Sequence, residues 1–192
     1  MSSLHARFQA HEAALKGVLE HHASDIATLS ERMAECFAAG HKIMFAGNGG
    51  SACDAMHIAG EFVGRFVHDR RALAAIALSA DTGIITAVAN DYDYARIFAR
   101  QVEALGKPGD MLIAMSTSGK SPNILAALES ARERQIATVL LTGEKARNAE
   151  PLADVTIIVP SEITAHIQEA HLFILHSLAA LVEQALGLDT HD

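Results

Sequence analysis

Short apolar runs alternate with helical stretches along most of this chain, and that alternation constrains the fold more than any other feature. The runs are Lys42–Ala46, Ala74–Leu78, Met111–Met115, Thr138–Leu141 and Thr156–Val159. They are apolar at nearly every position rather than at every second one, so each strand must be covered on both faces. Helical patterns lie between them, near residues 52–66, 83–89, 94–105 and 121–134, and a longer one runs from about Ile163 to Leu186. Strands alternating with helices predict an α/β three-layer sandwich, with helices on both faces of a central parallel five-stranded sheet. A ligand of such a sheet lies off the carboxyl ends of its strands.

Residues 4–39 precede the first strand and read as helix, broken near His21 to Asp25 and stopped at Gly40. Apolar residues recur at helical spacing through Leu15, Val18 and Leu19, then Ile26, Leu29, Met33 and Phe37. This N-terminal segment, about residues 1–40, is long for one small α/β unit. Its stripe packs either on the chain's own sheet or on another subunit, and the pattern fits both. The 192 residues suit one domain, 1–192, with no internal repeat or linker.

The net charge is −8 with no basic run, which argues against nucleic-acid partners. Any anionic ligand must therefore be held by local donors. Cys36 and Cys53 form no metal-like pair and suit a reducing compartment. No apolar run is long enough to cross a bilayer, and the first residues begin no signal core. A cytoplasmic protein with no membrane partner is expected.

Three constellations carry chemistry. The first is Ala46-Gly47-Asn48-Gly49-Gly50-Ser51, which joins a strand to a helix through small and polar residues. Such a turn lets backbone N–H groups close around an anion or a sugar hydroxyl. His57 and Glu61 follow on that helix, four residues apart and therefore about 40° apart on one face. The second is Ser116-Thr117-Ser118-Gly119-Lys120-Ser121-Pro122-Asn123, which follows a strand and opens a helix at Pro122. Its hydroxyls and free N–H groups suit a phosphate, although an ordinary serine-capped turn would look similar. The third is the last helix, where His166, Gln168, Glu169, His171 and His176 interrupt an apolar pattern. Gln168 and His176 lie about 80° apart and roughly 12 Å along the axis, so they line one side of a cleft rather than a tight clip. The remaining histidines (His5, His11, His21, His22, His41, His68 and His191) read as surface residues. Asn90-Asp91-Tyr92-Asp93-Tyr94 reads as a polar turn.

Two nucleotide motifs fail. Gly119-Lys120-Ser121 resembles the end of a Walker A loop, but the glycine needed five residues earlier is Ala114. Gly47-x-Gly49-x-x-Ala52 resembles a dinucleotide motif, yet Asp81 comes about ten positions too late to be its acidic partner.

Together these pieces resemble the sugar isomerase (SIS) domain family, whose fold is flavodoxin-like. The likeness runs through Gly47–Ser51, Asp54-Ala55-x-His57-x-Ala59-x-Glu61, Gly64-Arg65-Phe66, Asn90-Asp91, Ser116-Thr117-Ser118-Gly119-x-Ser121 and Ile167-Gln168-Glu169-x-His171. Within the family, the branch it resembles converts sedoheptulose 7-phosphate to D-glycero-D-manno-heptose 7-phosphate. That is the first step of activated heptose synthesis for lipopolysaccharide core or other surface sugars. The resemblance implies that Ser116, Thr117, Ser118 and Ser121 hold the phosphate. It implies that Asn48, Gly49, Gly50, Ser51, Asn90, Asp91 and Gln168 contact the sugar. Glu61, itself against the substrate, would be the base and His176 the acid. It further implies one zinc ion per subunit on His57, Glu61, Gln168 and His176, and a homotetramer with sites at subunit interfaces.

Aldose–ketose isomerisation moves a proton between adjacent carbons through an enediol, which suits a carboxylate beside an acid or Lewis acid. A metal-bound carboxylate is a poorer base, so the two roles implied for Glu61 pull against each other. Two other readings stay open: a non-catalytic tetrameric SIS protein that binds the replication initiator, and an SIS isomerase of another sugar phosphate. Where many relatives have Asp-Arg-Pro, this chain has Asp69-Arg70-Arg71, in a loop expected to lie outside the chemistry.

Overall fold

A computed structural model describes residues 3–147 and 153–189. His191 lies outside them. The five strands are β1 (Ile43–Gly47), β2 (Ala75–Ala77), β3 (Met111–Ser116), β4 (Ala137–Gly143) and β5 (Val155–Val159). All neighbouring pairs are parallel and the order is β2-β1-β3-β4-β5. The order reverses between β1 and β3, so the loops leaving these two strands diverge and open a crevice at their carboxyl ends.

The helices are α1 (Ser3–Ala38), α2 (Gly50–Val63), α3 (Thr82–Asp91), α4 (Ala99–Leu105), α5 (Pro122–Glu133) and α6 (Thr164–Ala185). One face of the sheet, through Ile43, Phe45, Ile113, Met115, Val139 and Leu141, packs on α1, α2 and α6. The other, through Met44, Ala46, Leu112, Ala114 and Leu140, packs on α4 and α5. Both pleats of each central strand are therefore apolar, which is why these strands read as continuous runs.

Three local expectations change. Helix α1 is unbroken through His21–Asp25. That stretch holds no proline or glycine, His22 Nδ1 meets Asp25 Oδ2 at 2.8 Å one turn on, and His22 Nε2 accepts from the Ile158 N–H. Residues 94–105 are split into a 3₁₀ turn, Tyr94–Arg96, and α4. Asn90 and Asp91 are the last residues of α3 rather than a free turn. Gly40 does end α1: at φ +79° it lets its own N–H reach the Phe37 carbonyl and the His41 N–H reach the Cys36 carbonyl.

The histidines divide. His5 and His21 are exposed, but His11, His22, His41 and His68 are partly buried. His11 Nδ1 lies 2.9 Å from Glu169 Oε2, which joins α1 to α6. Among the described residues no helix is long and apolar enough to cross a membrane.

Candidate active site

The loop after β1 and the loop after β3 stand side by side because Gly47 is in register with Met115. Asn48 and Asn123 tie them together through a reciprocal amide pair. Asn48 Nδ2 donates to Asn123 Oδ1 at 2.9 Å, and Asn123 Nδ2 donates to Asn48 Oδ1 at 2.8 Å. Tyr94 Oη donates to the same Asn48 oxygen at 3.2 Å. Both amide heads are thus fixed, and with them the spacing of the two loops.

Helix α2 starts directly behind Gly49, with no side-chain cap on its first turn. Its leading N–H groups are therefore free for a ligand. Gly50 is needed for a close approach: a Cβ there would stand 2.6 Å from Gln168 Nε2. That approach brings Gln168 of α6 against the start of α2. Ser51 is buried beneath this turn.

Across the crevice, Ser121 occupies the N-cap position of α5 but makes no capping bond. Its Oγ lies 3.0 Å from Ser116 Oγ instead. This distinguishes the loop from an ordinary serine-capped turn and leaves the first N–H groups of α5 unused by that hydroxyl. Ser118 Oγ accepts from the Lys120 N–H at 3.2 Å. Asn90 and Asp91 are exposed and bonded to one another at 2.8 Å.

Two turns along α2, three side chains converge. His57 Nε2 is 3.1 Å from Glu61 Oε1 and 3.4 Å from His176 Nε2. The ligand atoms of His57, Glu61 and His176 all lie within 4.8 Å of one another. One Nε2 proton cannot serve both neighbours well, whereas two imidazole nitrogens and a carboxylate oxygen at this spacing suit a divalent cation. Burial holds His176 below the usual histidine range, with His57 adding to the effect and Glu61 opposing it. A neutral imidazole is also the form that binds metal. Phe66 stacks on the His176 ring, with centroids 5.4 Å apart.

Phe66 lies just past Val63, where α2 ends short of the expected residue 66, and the segment continues into Asp69-Arg70-Arg71, which was expected to lie outside the chemistry. Arg70 Nε donates to Glu183 Oε1 at 2.8 Å, and Arg70 Nη2 donates to the Glu61 carbonyl at 2.8 Å. Glu183 also accepts from the Phe66 and Val67 N–H groups. Arg70 is therefore an anchor for the end of α2. The spacing of charges gave no sign of it, because Glu183 is far away in sequence.

Residues 8–143 match the SIS domain family model. The chain is 50% identical over 161 residues to the phosphoheptose isomerase of Trichlorobacter lovleyi, covering 84% of this chain and 82% of that one. The chain belongs to the SIS domain family. Within it, the chain falls among the phosphoheptose isomerases, which are aldose–ketose isomerases. Two solved phosphoheptose isomerases share its fold closely. The Francisella tularensis structure gives a TM-score of 0.90 at 35% identity, over 96% of this chain and all (100%) of that one. The Neisseria gonorrhoeae structure gives 0.85 at 36%, over 94% and 97%.

Asp54, Tyr94, Asn123 and Thr142 were given no role on sequence grounds. Asp54 precedes His57 by one helical turn, and its Oδ2 is buried without a hydrogen-bond partner among the described residues. Burial raises its pKa, against the lowering influence of His57. The i, i+3 spacing to His57 was the available signal for Asp54. Nothing in the sequence links Asn123 to Asn48.

Proposed function

We propose that this SIS protein converts sedoheptulose 7-phosphate to D-glycero-D-manno-heptose 7-phosphate. The observation that carries the reading is the convergence of His57, Glu61 and His176 at the same sheet end as the serine loop. The proposed proton-transfer groups stand on α2 and α6, and the proposed phosphate cradle is the loop between β3 and α5. In the forward direction Glu61 takes a proton from C1 of the ketose, giving a 1,2-enediol, and returns it to C2. His176 passes a proton to the C2 oxygen and takes one back from the C1 hydroxyl as the aldehyde forms, so it ends the turnover as it began. Ser116, Thr117, Ser118 and Ser121, with the first turn of α5, hold the phosphate. Asn48, Gly49, Gly50, Ser51, Asn90, Asp91 and Gln168 face the sugar hydroxyls.

His57, Glu61, Gln168 and His176 would hold one zinc ion. Bound there, zinc supplies Lewis-acid polarisation of the substrate oxygens. The three converging donors, two imidazole nitrogens and a carboxylate oxygen, fit it. The protein works in the cytoplasm as a homotetramer. Support for assembly comes from Leu4, Phe8 and Leu19, which are 72%, 63% and 50% exposed along one stripe of α1. The product enters synthesis of activated heptose for surface sugars.

A coupled assay with sedoheptulose 7-phosphate, run with zinc and with a chelator, tests the reading. Turnover that falls on chelation and returns with zinc supports both substrate and metal. Turnover indifferent to chelation keeps the acid–base pair and removes the metal. No turnover from folded protein in either condition overturns the reading.

A further inference from the structure

His171 of α6 is fully buried, and its Nε2 lies 3.4 Å from the Thr142 carbonyl oxygen. A carbonyl can only accept, so Nε2 carries the proton and Nδ1 holds a lone pair. That Nδ1 is buried with no hydrogen-bond partner among the described residues. Burial moves the ring's pKa down to about 4, opposed by the bond to Thr142, so the imidazole is neutral at physiological pH. Thr142 is itself fully buried at the end of β4. Its Oγ1 donates to the Ser116 carbonyl at 2.7 Å, and the same carbonyl accepts from the Gly119 N–H at 3.1 Å. The Thr117 carbonyl presses on the next residue, where a Cβ at Gly143 would stand 2.8 Å from it. The serine loop therefore rests on the carboxyl end of β4, closed around one carbonyl that Thr142 holds.

We infer that His171 is a positioning residue for the phosphate loop: it fixes Thr142 and, through it, the turn that begins at Ser116. The inference rests on the reading of Ser116–Ser121 as the phosphate cradle. It also explains an imidazole in an apolar core that leaves one nitrogen unsatisfied. An aliphatic side chain would avoid that cost but could not donate to the carbonyl. His171 shares α6 with Gln168 and His176, so one helix sets both the loop and the proposed acid.

The test compares His171→Leu, which removes the donor, with His171→Gln, which keeps an N–H in reach. Thr142→Val, which removes the hydroxyl donor to Ser116, is the second probe should the leucine variant fail to fold. Two quantities are read: amide hydrogen exchange over residues 116–121, and KM and kcat for sedoheptulose 7-phosphate. Loss of one buried hydrogen bond predicts roughly tenfold faster exchange in that loop and a roughly tenfold higher KM, with kcat within about twofold. Glutamine is expected to restore both. Unchanged loop exchange and KM in the leucine and valine variants would overturn the inference. So would exchange that rises evenly across the sheet, or glutamine failing to restore the loop. A wild type that neither binds nor turns over the sugar phosphate removes the substrate reading, while the exchange comparison still decides the role of His171.

Discussion

The two ends of the central sheet treat their carboxylates in opposite ways. At the amino end, Asp110 is 2% exposed and saturated. It receives the Lys42 ammonium, the Lys42 N–H at 3.1 Å and the Lys107 N–H at 2.8 Å, with His41 at 3.7 Å. At the carboxyl end, among the described residues, Asp54 has a buried oxygen with no hydrogen-bond partner, and the Glu61 side chain hydrogen-bonds to His57 alone. Burial alone would raise both aspartates. At Asp110 the bonds from Lys42 and Lys107 outweigh burial and hold the carboxyl below its usual range, whereas at Asp54 burial wins. Saturated charges hold a fold together; undersatisfied ones mark where a ligand is expected.

That contrast breaks most sharply at Glu61. Glu61→Gln is expected to lower kcat by roughly 10²–10⁴-fold, the usual contribution of a positioned base, with an unchanged melting temperature. Steady-state kinetics beside a thermal melt separates the two. Next in size, Asp110→Ala strands the Lys42 ammonium and is expected to cost about 3–5 kcal/mol in denaturant unfolding. Activity per folded molecule should be unchanged. A loss of activity without a loss of stability would reverse the roles assigned to the two sheet ends.

Smaller effects sharpen the same comparison through pH. Asp110 titrates lower folded than unfolded, so its contribution is complete above the ordinary carboxylate pKa and disappears as pH falls through its depressed folded value. Asp54 titrates higher folded than unfolded, so its contribution improves as pH falls through the carboxylate range. Unfolding titrations of Asp54→Asn are therefore expected to gain about 0.5–1 kcal/mol at neutral pH, with the gain vanishing in acid. Asp54→Asn that is less stable than wild type at pH 7 would show a structural partner for this carboxylate. The smallest change expected is in Gly50→Ala. Its Cβ must displace the Gln168 amide, so KM should rise several-fold, about 1 kcal/mol, with little loss of stability. Kinetics at varied substrate concentration would detect it.

Much of the fold was legible because its determinants are local. Each strand lies within two residues of its apolar run, since both faces of the sheet are buried. The His57/Glu61 pair was legible because helical spacing alone places the two residues on one face. The polar stretch at His21–Asp25 misled, since its compensation includes the Ile158 N–H, which is remote in sequence. The same limit hid the Asn48–Asn123 lock, the Arg70–Glu183 anchor and the chain from His171 through Thr142 to Ser116. Each joins elements that meet only after the sheet is assembled. Bringing His176 to His57 likewise needs α6 laid against α2, which no spacing within either helix encodes.

The most direct test of the central claim follows sedoheptulose 7-phosphate by NMR in D₂O with wild-type protein and Glu61→Gln. The wild type is expected to form the aldose with deuterium appearing at C2, and the variant to form neither product nor label at a comparable rate. Aldose produced by Glu61→Gln as fast as by the wild type would contradict the assignment of proton transfer to this cluster.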